Sequence, residues 1–243
     1  TLNTAHLNSQ FNYDVGLLDS IINAKFGLDV YNSTYKVDSN DWQYTQYINK
    51  AEQKIVEPSI ILNIKDKNIT GLNYQFGARS HHYDIDVHNL LSSKVKILSN
   101  YVDNFAWTLG ADYNIHNKDK FFGHISRSYR SPRLDEIVTV GPSENINPLK
   151  HQSSHEIELG YEKNTFNYRY RISSFRTWFE NQIFYNPTSF ANENYDPSIH
   201  QGIEIEFDKK FSEKIDFNSN TTLINSYISE GTFKGNETPY VPK

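Results

Sequence analysis

The sequence predicts an all-β fold: an antiparallel, up-and-down transmembrane β-barrel segment of about ten long strands. Three observations predict it. Apolar and polar residues alternate with period two along much of the chain. Several alternating segments reach the roughly ten residues needed to cross a bilayer at a tilt, whereas soluble strands average about five or six. The connections also alternate in kind, short and charged at one end, long and polar at the other.

Taken in order, residues 2–13 open the chain as a strand of moderate regularity. The next strand is cleaner: Ile22, Ala24, Phe26, Leu28 and Val30 oppose Asn23, Lys25, Gly27 and Asp29. Residues 54–65 follow, then Leu72, Tyr74, Phe76 and Ala78 against Asn73, Gln75, Gly77 and Arg79. Phe105, Trp107, Leu109, Ala111, Tyr113 and Ile115 share one parity; Thr108, Gly110, Asp112, Asn114 and His116 share the other. Residues 120–130 and 153–162 alternate less cleanly. Residues 165–185 read as one strand whose phase slips at Ser173-Ser174, which predicts a bulge. Ile199, Ile203, Ile205 and Phe207 then oppose His200, Glu204, Glu206 and Asp208, and residues 215–229 complete the set.

Short charged turns fall at 66–68, 117–120, 163–165 and 212–214. Long polar loops fall at 36–52, 87–98, 130–152, 186–198 and from 230 onward. This segregation is that of an outer-membrane barrel, with short periplasmic turns and long extracellular loops. A soluble sandwich or propeller would alternate too, but on shorter strands, and the Gly/Trp repeat of a blade is missing. A long two-stranded adhesin ribbon fits the lengths but not ten strands.

Composition agrees. The 243 residues are 37% hydrophobic and 14% aromatic, with 17 Tyr and 15 Phe, the mixture expected of strands with one wet face. Mean hydropathy is −0.67. A net charge of −5 with interspersed signs gives no basic stripe for nucleic acid. Without Cys there is neither a disulfide framework nor a thiolate metal site. No apolar run is long enough for a transmembrane helix. The absence of Met, even at position 1, predicts a processed product or a piece of something longer.

The stretch "SRSYRSPRLDEI" at 126–137 carries the most local information. Alternation puts Arg127 and Tyr129 on one face and Ser128 and Arg130 on the other. Ser131 is then placed to cap a short helix, Pro132 suits its first position, and Asp135 and Glu136 complement its N-terminal dipole. An arginine pairing with Asp135 or Glu136 would fix the loop over the barrel mouth; direct ligand contact by Arg130 or Arg133 is the other use. Arg79, Arg169 and Arg171 sit on wet strand faces, where they pair with Glu156, Glu158, Glu204 or Glu206 or meet an anionic ligand.

No metal site is predicted. His81 and His82 are adjacent on a strand and face opposite sides. His151 and His155 share a face if extended but lie about 13 Å apart. His82 or His88 is where a haem ligand would come from. No Ser/His/Asp order, Gly-rich phosphate loop or paired acid and base points to an enzyme, and the four Asn-x-Ser/Thr sequons are what an Asn-rich chain yields by chance.

"SRSYRSPRLDEI" resembles the mid-barrel segment of TonB-dependent outer-membrane receptors. "INPLKHQSSHEIELGYE" is similar to the family's return into the next strand, although Lys150-His151-Gln152 replaces its Lys-Pro-Glu. "IHQGIEIEF" and "EGTFKGNETPYVPK" resemble later family segments, and "FGAR" at 76–79 an earlier strand. The resemblance covers roughly residues 120–243 by motif and the rest by pattern.

The resemblance implies that residues 1–243 are part of one receptor-type barrel of about 22 strands, with the plug domain, early strands and last strands absent. It implies a non-enzymatic receptor of the Gram-negative outer membrane, embedded in lipid and working with the TonB energy-transducing complex through the missing plug. The implied cargo is a ferric siderophore, with cobalamin or haem next, captured by the long loops. No cofactor is implied. A passive channel of ten strands is the alternative.

Overall fold

The computed structural model describes residues 2–17, 20–40, 46–89, 98–115, 118–137, 149–238 and 241. Ten strands form one antiparallel sheet in strict meander order. They are β1 (Leu2–Leu17), β2 (Ser20–Asn40), β3 (Gln46–Asp66), β4 (Leu72–Asn89), β5 (Leu98–Ile115), β6 (Asp119–Arg130), β7 (Gln152–Asn164), β8 (Tyr168–Glu180), β11 (Ser198–Ser212) and β12 (Ile215–Ile228). The short strands β9 (Ile183–Asn186) and β10 (Ala191–Asn194) form a separate hairpin, and α1 (Leu134–Ile137) is a single helical turn.

Alternation decides the two faces. Leu109 and Leu159 are 48% and 63% exposed, although each sits in mid-sheet between paired strands. Apolar surface in that amount is not left to water, so this convex face belongs against lipid. The opposite face carries Glu156, Glu158 and Glu162 of β7, Arg169 and Arg171 of β8 and Glu204 and Glu206 of β11. Short turns close the far end by local chemistry. Asp66 Oδ1 accepts from the backbone N–H of Asn68 (2.8 Å) and Ile69 (2.9 Å). Gly71 then adopts φ 92°, where a Cβ would lie 2.4 Å from the Asn114 carbonyl oxygen.

Three expectations about the connections are corrected. Residues 36–52 are not a long loop: β2 runs to Asn40 and β3 starts at Gln46, leaving only 41–45 between them, outside the described residues. Above the apolar belt the outward face of these strands turns polar, at Asn32, Thr34, Glu52 and Lys54, so the alternation fades while pairing continues. Residues 165–185 are not one bulged strand. Both neighbours of β8 stay in unbroken register through Ser173 and Ser174; Phe175 faces inward against Gly202, which makes the pattern look out of phase. The irregularity lies instead at Lys210/Ser212. Residues 186–198 contain half of the β9–β10 hairpin rather than a plain loop. The expected loop at 87–98 falls largely on 90–97, and 138–148 of the next loop likewise lie outside the described residues.

The buried apolar cluster sits on the concave side, towards the loop-bearing end. Ala51, Tyr83, Ile85 and Val87 of β3 and β4 receive Leu134 and Ile137 of α1 and Leu149. The rim segment thus folds inward onto the wall and buries its own apolar face there. The β9–β10 hairpin ties it down: Asn192 donates to the Glu136 carbonyl (3.1 Å), and Asn194 exchanges hydrogen bonds with the Lys150 backbone (2.8 and 3.1 Å).

Candidate functional site

The rim begins with the arginine-rich end of β6. Arg130 donates to both carboxylate oxygens of Glu136, at 3.0 and 2.9 Å. Glu136 Oε2 also accepts the Arg133 backbone N–H at 2.8 Å, the reach-back half of a capping box. Arg133 is therefore the helix-capping position, its side chain exposed, and Asp135 is exposed on the outer side of α1. Ser131, expected to cap, does not. Pro132 lies buried before the helix rather than at its first position.

Ser131 is used elsewhere. Its hydroxyl lies 2.6 Å from His81 Nε2, and His81 Nδ1 lies 2.7 Å from Glu57 Oε1. The same carboxylate oxygen accepts the Tyr129 hydroxyl at 2.9 Å. A carboxylate only accepts, so His81 Nδ1 carries a proton; in the neutral ring Nε2 then accepts from Ser131. Asn104 donates its amide to His151 Nδ1 at 2.7 Å, which fixes that ring as unprotonated at Nδ1. Burial, reinforced by neighbouring His81, pushes the His151 imidazole down to about 4.

Glu57, His81 and Ser131 have the connectivity of an acid–base–nucleophile chain. The chemistry does not follow. Pro132 has no N–H to offer an oxyanion from the residue after the serine, and His81 is 2% exposed. The network ties three separate strands to the rim segment. Tyr129 breaks the expected alternation here, because its hydroxyl reaches the inward Glu57.

Below the rim, Arg79 projects from the inward face of β4, its side chain half exposed at 50%, with Glu57 Oε2 3.6 Å away. His82, the next expected ligand contact, is misplaced by that expectation. Its parity turns it to the outer face, where Nδ1 meets Asp103 Oδ1 at 2.7 Å. His88 has the same parity and faces outward too. His81, not His82, points inward.

Arg169 and Arg171 form a lattice with the acidic residues of the adjoining strands. Arg169 lies 3.4 Å from Glu162, 3.2 Å from Glu206 and 3.6 Å from Asp208. Arg171 pairs with Glu158 (2.9 Å) and Glu206 (3.4 Å) and stacks on the Phe122 ring at 4.6 Å. His124 bridges Glu156 and Glu158 at 3.1 and 3.3 Å. The pairing reading of these arginines fits this arrangement, and Arg79 is left as the most open inward cation of the expected set.

Sequence reasoning missed Glu57, His81, Asn104, Tyr129 and His151 as one unit. Bonded members of the unit are up to 72 residues apart, which leaves no local spacing to find. One signal was available: Glu57 and His81 are both polar where their strands turn inward, each next to a member of the Val56–His82 pair of β3 and β4.

The sequence matches the family described as TonB dependent receptor-like, beta-barrel, over residues 2–243. A search of the curated proteins finds no match. Among solved structures, the chain is similar to the ferric citrate transporter FecA in its unliganded form (TM-score 0.76, 14% identity, 100% of this chain and 38% of that one). It is similar to the ferric yersiniabactin uptake receptor FyuA from Yersinia pestis (0.70, 16%, 99% and 42%). It is also similar to the copper transporter OprC (0.68, 11%, 94% and 38%). The chain spans about two fifths of the length of these proteins.

Proposed function

From the premise that the chain belongs to the TonB dependent receptor-like β-barrel family, we propose that it forms part of the wall through which a receptor imports a ferric siderophore with TonB-supplied energy. The family consists of non-enzymatic transporters, and its barrels sit in the Gram-negative outer membrane. In the proposed receptor a plug domain and further strands complete the barrel; within the described residues β1 and β12 stand at the two edges of an open sheet.

The observation that carries the reading is Arg79. It is a half-exposed cation on the inward face, with Glu57 Oε2 at 3.6 Å, below a rim that is tied down. Ferric siderophores are commonly anionic chelates, and a half-exposed guanidinium suits their oxygens. FecA and FyuA are, by their descriptions, a ferric citrate transporter and a ferric yersiniabactin receptor, which favours this cargo class.

The test is uptake by iron-starved cells carrying the full-length gene, with and without functional TonB. Labelled ferric chelates, cobalamin, haem and copper are offered separately. Energy-dependent accumulation of a ferric chelate supports the proposal. Accumulation of another cargo alone replaces it, and uptake indifferent to TonB would make the barrel a passive channel.

A further inference from the structure

The lipid-facing side carries a polar strip. On the outward parity, Arg176 of β8 lies directly opposite Gln201 of β11, and Gln201 opposite Asn225 of β12. On the other side Arg176 faces Ile157 of β7. The Arg176 guanidinium lies 5.1 Å from the Trp178 ring, and its Nε, shielded from solvent, has no hydrogen-bond partner among the described residues. His155 and Arg127 occupy the adjoining outward positions on β7 and β6. None of these neighbours is acidic.

An unpaired arginine on the lipid face costs free energy that grows with depth, up to about 2–4 kcal/mol at the midplane. Arg176 sits one outward position below Trp178, at the loop-bearing end, which places it under the outer headgroups. A partner must therefore come from the bilayer.

The surface below Arg176 is shaped to receive the rest of such a partner. Arg176, Gln201 and Asn225 border a groove of about 580 Å³. It shares Ile157, Leu159, Ser174 and Ile203 with a larger groove of about 1110 Å³ that continues across Leu109 and Ile125. The outward residues of the larger groove are apolar except for small Ser174 and the tyrosines at its far end. Donors at the headgroup end of a branched apolar groove match an amphiphile with an anionic head and several acyl chains.

We propose that this surface binds a phosphorylated lipid of the outer leaflet. Arg176, Gln201 and Asn225 donate to its phosphate, and its acyl chains lie across Ser174 and Leu159. The site rests on the outer-membrane placement of the barrel and is independent of the cargo.

Native mass spectrometry of the full-length receptor in detergent micelles tests it, using bis-phosphorylated lipid A, the same lipid A without phosphates, and inorganic phosphate alone. The wild type is expected to retain the phosphorylated lipid about tenfold better than the dephosphorylated one. Arg176→Gln abolishes that preference, and Arg176→Lys keeps part of it. Ser174→Trp, which fills the junction of the grooves, lowers retention of both lipids. Heat-modifiable gel migration establishes that each variant is folded. Equal retention of the two lipids by the wild type, or an unchanged preference in folded Arg176→Gln, overturns the proposal. So does displacement of the lipid by inorganic phosphate, which would mark a free-anion site.

Discussion

Tyr129 of β6 donates its hydroxyl to Glu57 of β3 at 2.9 Å, although β4 and β5 lie between those strands in the sheet. The bond runs across the concave face, so it holds the curvature of the wall where the rim segment lands. Glu57 receives His81 at the same oxygen, and the barrel wall and the rim meet in one polar cluster.

Tyr129→Phe removes one donor from a partly buried carboxylate and leaves the ring in place. The expected cost is about 1–2 kcal/mol. Urea unfolding of the full-length receptor in lipid vesicles measures it, and an unchanged midpoint would show that the bond does not brace the wall.

Leu134→Ala empties part of the cluster formed by α1 on Tyr83, Ile85 and Val87. Leu134 is 3% exposed, so the docking of α1 is expected to weaken by about 2–3 kcal/mol. Hydrogen exchange should accelerate over residues 131–137 while β6, β7 and β8 keep their protection. Acceleration spread evenly over the strands would contradict a locally docked rim.

Acid should loosen the same contact. His151 lies outside the strands, and its imidazole, held down to about 4, stays neutral in the folded rim, whereas an undocked rim binds a proton near 6.5. The undocked form therefore binds more protons between these values. The His151 contribution is full above pH 6.5 and is lost as pH falls towards 4. Protonation also removes the Nδ1 acceptor for Asn104. Proteolysis of the rim should rise over that interval, and His151→Gln should flatten the rise.

Arg171→Ala leaves Glu158 and Glu206 without their shared cation. These groups are only partly buried, so the expected loss is about 1–2 kcal/mol, smaller at high salt. A double-mutant cycle with Glu158→Gln measures the pair directly. A coupling energy near zero would reduce the lattice to independent solvated charges.

What the sequence displays depends on whether two faces differ. Along residues 104–115 one face meets lipid and the other the lumen, so Leu109 and Gly110 announce their sides. Above the belt, Asn32, Thr34, Glu52 and Lys54 face outward as polar residues, so the alternation fades and the adjoining residues 36–52 read as loop. The Arg130–Glu136 pair was legible because six residues and a single turn separate its members. The Glu57–His81–Ser131 chain was not, since separations of 24 and 50 residues acquire meaning only through register. Ser131 illustrates the competition: its position suits a cap, but its hydroxyl meets His81 of β4, and Glu136 takes over the capping.

The proposed role of Arg79, holding an anionic ferric chelate at the inward face, is tested by a binding titration. Purified full-length receptor is titrated with ferric and iron-free chelates, following tryptophan fluorescence, for the wild type and Arg79→Ala. Saturable binding of a ferric chelate, weakened about tenfold or more by Arg79→Ala and largely restored by Arg79→Lys, is the predicted result. Binding of the same affinity in wild type and Arg79→Ala, or no binding of any ferric chelate, would contradict it.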